Sequence, residues 1–113
     1  MKLVRVYTGD DNESHLEELP LEFAERGRTE AILSDSASLT FAERKAGDFA
    51  DFHNGPERQY VFYLTCTVEI ACGDGSKVLI GNGDVLFEED HTGRGHTTRV
   101  LESGICAFAR LTP

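Results

Sequence analysis

An all-β fold in one domain is predicted by three observations. Hydrophobic residues recur at period two over short stretches, turns rich in Gly, Asp and Asn separate them, and sustained helical periodicity is almost absent. Residues 2–7 alternate weakly and read as a first strand, closed by the turn chemistry of Gly9-Asp10-Asp11-Asn12. Residues 16–24 offer a turn or two of helix, but Pro20 interrupts it, so the region reads as extended or loop-like. Residues 38–44 make the next strand, broken at Gly47-Asp48. The strongest signal is one long strand over 59–72. Tyr60, Phe62, Leu64, Cys66, Val68, Ile70 and Cys72 share its first face, and Val61, Tyr63, Thr65, Thr67, Glu69 and Ala71 its second. Apolar residues on both faces suit a barrel wall, with a cavity on one side and a packed layer on the other. Gly73-Asp74-Gly75-Ser76 turns the chain into a strand starting over 77–80, and Gly81-Asn82-Gly83-Asp84 leads into Val85-Leu86-Phe87. A Gly-rich loop at 91–95 precedes a strand from His96, and residues 105–111 close the series. Short strands at this spacing describe a sandwich or barrel.

At 113 residues the chain is long enough to bury a core without disulfide support. The formal net charge is −9, which leaves no basic footprint for phosphates and no attraction to an anionic bilayer. Nucleic acid and membrane are therefore excluded as expected partners. No apolar run is long enough to span a bilayer, and residues 1–6 lack the apolar stretch of a secretory signal, so the cytoplasm is the expected location. The cysteines, Cys66, Cys72 and Cys106, are odd in number, form no CxxC pair and sit in apolar contexts. They read as reduced core residues.

Two stretches carry candidate chemistry. Gly47 is followed, after five intervening residues, by His53-Asn54-Gly55, then Pro56-Glu57-Arg58 and Gln59. Further on, Gly83-Asp84-Val85 precedes Glu89-Asp90-His91-Thr92-Gly93-Arg94-Gly95-His96. In this order the two stretches resemble the paired motifs of the cupins. The resemblance covers about residues 40–111. It implies a double-stranded β-helix, the cupin jelly-roll barrel, as a single domain to which residues 1–37 add edge strands or loops. It also implies a homodimer. Metal-bearing cupins offer three His and one Glu. Here His53 and His96 match the first and last positions, Gly55 stands where the second His belongs, and Gln59 stands where the Glu belongs.

The resemblance thus implies a small-molecule pocket lined by His53, Gln59, Tyr63, Asp90 and His96. His53, Gln59 and His96 are its candidate ligands for one divalent transition metal. Two imidazoles hold such an ion poorly without a further donor, and Gln59 brings an uncharged oxygen. Asp51, two residues before His53, and Asp90 are candidates to restore a carboxylate. The resulting function is a pocket for a small polar metabolite, with metal-dependent chemistry as one version. The alternative is a metal-free ligand-binding or sensing protein, in which the His and Gln side chains hydrogen-bond one another and Arg58 or Arg94 pairs with an anionic ligand. A third version has the pocket filled by its own side chains. His91 is a candidate general base on its loop, and His15 a candidate pocket contact.

Overall fold

The computed structural model describes residues 2–19, 37–55 and 58–111. The period-two stretches become β1 (Leu3–Thr8), β2 (Ser14–Leu19), β3 (Ala37–Arg44), β4 (Phe49–His53), β5 (Gln59–Tyr63), β6 (Thr67–Cys72), β7 (Lys77–Ile80), β8 (Asp84–Glu88), β9 (His96–Glu102) and β10 (Gly104–Leu111). No helix occurs among the described residues. Of the 16–24 stretch, the part to Leu19 belongs to β2, and the remainder lies outside the described residues.

The strands form two sheets. One has six strands in the order β2-β1-β8-β5-β10-β3, and the other has four in the order β4-β9-β6-β7. All pairings are antiparallel except β1 with β8. The sheets face each other as a sandwich over Val4, Val6, Val61, Tyr63, Cys66, Val68, Ile70, Cys72, Ile80, Leu86, Val100 and Cys106. A second apolar cluster, Leu3, Tyr60, Val85 and Phe87, lies on the outer face of the larger sheet.

Two expectations need correcting. The 59–72 stretch is two strands in different sheets, β5 and β6, with a corner at 64–66. At that corner the Leu64 and Thr65 amides both donate to the Ile105 carbonyl at 3.1 Å. Two residues instead of one separate the inward Tyr63 from the inward Cys66, so the alternation changes phase. Gln59, Val61 and Tyr63 therefore face inward on β5, and Tyr60 and Phe62 pack outside. Secondly, the two sheets are not closed into one barrel among the described residues. Strands β3 and β4 are edges of different sheets, joined by a short turn, and a cleft opens between them.

Cys66, Cys72 and Cys106 are free, buried thiols, as their apolar contexts predict. Burial pushes all three pKa values up, that of Cys72 to about 11. The thiolate is the reactive form. Iodoacetamide at mildly alkaline pH should therefore add nothing to the folded protein within the time that labels a free thiol, and should add to all three cysteines after unfolding, as read by intact mass.

Candidate functional site

The strand register brings the two matched histidines together. His53 on β4 lies opposite His96 on β9, and their rings stand 4.6 Å apart at 57°. Gly95 makes this approach possible, because its φ of 82° is left-handed and a Cβ there would overlap the His53 carbonyl. Asn54 holds the preceding loop by donating its side-chain amide to the carbonyls of Asp90, Thr92 and Gly93 at 3.2, 2.9 and 2.9 Å.

The facing wall comes from the other sheet. Gln59 on β5 lies opposite Glu88 on β8 and donates from Nε2 to Glu88 Oε2 at 2.6 Å. Glu88 Oε1 reaches across the sandwich to within 3.7 Å of His96 Nε2. Behind the imidazole, Asp90 Oδ2 accepts from His96 Nδ1 at 2.6 Å and from Ser14 Oγ at 2.5 Å. Asp90 and His96 are wholly buried.

These contacts determine which atoms remain to bind something. His53 Nδ1 donates to the Asp51 carbonyl at 2.8 Å, which leaves its Nε2 as an acceptor in the neutral ring. Gln59 Oε1 and His96 Nε2 are buried and have no hydrogen-bond partner. Burial raises the pKa of Glu88, with the His96 charge and the Gln59 hydrogen bond acting against that rise. For His96, burial works against the charged ring, but the hydrogen bond to Asp90 and the charges of Asp90 and Glu88 outweigh it and raise the pKa. His53 Nε2, the Glu88 carboxylate and Gln59 Oε1 thus make this wall rich in acceptors.

The cleft in front of this wall consists of two adjoining spaces, one of 320 Å³ and one of 380 Å³. Arg44, His53, Glu88 and Phe108 border both. Tyr63, Val68, Val100 and Cys106 line the first, and Gln59, Thr40 and Arg110 line the second.

Of the pocket residues expected from sequence, His53, Gln59 and Tyr63 line the cleft, while Asp90 and His96 stand behind it. Asp51 is not among them. The register shifts between Ala50 and His53, which leaves Asp51 exposed with its carboxylate on the Phe52 amide. Arg58 pairs with Glu89, and Arg94 with Glu13, both away from the cleft. His91 is exposed on its loop, and His15 pairs with Asp11 and Asp74. Sequence reasoning missed Glu88 and Arg44. The usable signal for Glu88 was period two from the inward Leu86.

Glu88 also accounts for Gly55, which is buried. A Cβ on Gly55 would stand 3.1 Å from Glu88 Oε2, 3.3 Å from Glu88 Cβ and 3.4 Å from Asp90 Oδ1. The space that a side chain at position 55 would occupy is taken by a carboxylate from β8. As the side chains stand, no three His, Cys, Asp or Glu among the described residues converge as a metal-binding group. No family model matches the chain, and no curated protein matches it.

Gly55→Ala should destabilise the fold by about 1–3 kcal/mol through overpacking. Glu88→Ala removes the closest of the three contacts, so the same substitution in that background should cost less, with a coupling of at least about 0.5 kcal/mol. Urea denaturation of the four proteins measures both, and strict additivity would contradict the assignment.

Proposed function

We propose that this chain is a small-molecule-binding protein of cupin type, whose polar ligand lies in the cleft against His53, Gln59 and Glu88. The observation that carries this reading is the acceptor-rich wall at the cleft. A buried acceptor without a partner costs about 1–3 kcal/mol, so Gln59 Oε1 favours a ligand that brings hydrogen-bond donors. The lining supports it further, since a few polar groups set among Tyr63, Val68, Val100 and Phe108 match the usual make-up of ligand pockets. The same reading includes a homodimer, supported by Leu39 and Phe41, which are 61% and 63% exposed on the edge strand β3.

A second reading, with one divalent transition metal at this site, is favoured by the Asp90–His96 hydrogen bond. Metal-bound imidazoles commonly donate their other nitrogen to a carboxylate, which fixes the ring and directs the free lone pair at the ion. The donor chemistry fits. His53 and His96 would supply nitrogens, Glu88 the carboxylate missing at Gln59, and Gln59 Oε1 a neutral oxygen. When bound, the ion would act as a Lewis acid toward a ligand oxygen. In either version Asp90 holds the His96 ring, and Gln59 holds Glu88.

Thermal unfolding with and without a chelator, alongside elemental analysis of the purified protein, separates the two readings. Under the first, small polar ligands stabilise the chelated protein by about 2.7 kcal/mol at a hundredfold excess over Kd, and Glu88→Gln loses that shift. If every stabilisation disappears with chelator, and near-stoichiometric metal is lost in folded His96→Ala and Glu88→Gln variants, the second reading replaces the first.

A further inference from the structure

We propose that the cleft takes a linear amino-carboxylate, with its ammonium group against Glu88 and Gln59 Oε1 and its carboxylate on Arg44. This rests on the small-molecule reading and names its ligand class.

The inner end is defined by a row across three strands of the larger sheet, Glu88–Gln59–Arg110 on β8, β5 and β10. At that end the Glu88 carboxylate and the unpartnered Gln59 oxygen face the cleft beside His53. An ammonium group offers three donors to such acceptors, and the charge on Glu88 strengthens the contact.

The outer end is defined by Arg44. Its guanidinium lies over the Phe108 ring, 5.3 Å from the ring centre, and Phe108 sits one inward position along β10 from Arg110. Among the described residues its one hydrogen bond goes to the neighbouring Glu43 carbonyl at 3.3 Å, and no carboxylate pairs with it. By contrast Arg5, Arg58 and Arg94 are each engaged by a glutamate. A guanidinium over an aromatic ring can still offer its N–H groups to a carboxylate.

Charge balance in the lining points the same way. The cleft carries Arg44 and Arg110 against Asp48 and Glu88, so a dipolar ligand without net charge meets both signs and leaves neither in excess. The lining also includes the apolar side chains of Phe108, Val68 and Val100.

The test uses the full chain with selectively labelled His, Gln and Arg side chains, followed by NMR in chelator. Three probe sets are titrated: linear ω-amino acids from β-alanine to 6-aminohexanoate, the matching alkanoates, and the matching alkylamines. At least one amino acid should perturb His53, Gln59 and Arg44 together and bind about tenfold more tightly than its alkanoate and its alkylamine. Arg44→Met should reduce that amino acid to the affinity of the alkylamine, and Glu88→Gln to that of the alkanoate. If the alkanoates or alkylamines bind in the cleft as tightly as the amino acids, the ligand class is overturned while the small-molecule reading stands. If no probe of any set perturbs the cleft, the class is likewise overturned, and chelator-sensitive metal uptake then decides against the small-molecule reading as well.

Discussion

A fully buried histidine must find its hydrogen-bond partners inside the protein, and His96 finds only one. Its Nδ1 is bound to Asp90, which is bound in turn to Ser14, so one charge-assisted chain joins β9, the loop after β8, and β2. Removing one partner of such a buried pair typically costs about 3–5 kcal/mol, which is a large share of a domain's net stability. The chain therefore fixes where the His96 ring points. Its second nitrogen is left facing Glu88 across the sandwich at 3.7 Å, too far for a hydrogen bond.

The rest of the site follows from that orientation. Glu88 is held by Gln59, Gly55 leaves room for its carboxylate, and His53 stands tilted beside His96 as its cross-strand partner. Two sheets contribute two residues each, so the polar wall depends on the sandwich staying in register. The cleft exists because β3 and β4 end their sheets without pairing to each other, leaving the wall reachable from one side. Arg44 closes the edge strand β3 that borders this opening, and Arg110 lines the cleft from β10 in the same row as Gln59.

The all-β class was legible because period-two hydrophobicity and Gly-Asp turns are local signals. His53 and His96 meeting across a ladder was legible only through the resemblance of their two motifs, since no local pattern pairs residues so far apart. The phase change at 64–66 was not legible. Leu64, Thr65 and Cys66 continue an alternation that the backbone interrupts, and a single residue of slip exchanges the two faces. Asp51 was misplaced for the same reason, because a register shift in β4 is set by the β9 backbone beside it. Glu88 escaped notice because a carboxylate closing the buried run Val85-Leu86-Phe87 reads as a strand end. Its role is visible only beside Gln59 and Gly55. Arg44 looks like any polar strand terminus until Phe108 is placed beneath it.

Asp90 holds the His96 ring by Nδ1 and leaves Nε2 facing Glu88. Long-range proton–nitrogen correlation spectra of the histidine-labelled protein test it directly. A far-downfield, slowly exchanging proton is expected on His96 Nδ1, moving upfield in Asp90→Asn. A His96 ring whose only bound proton sits on Nε2, or whose Nδ1 proton is indifferent to Asp90, would contradict it.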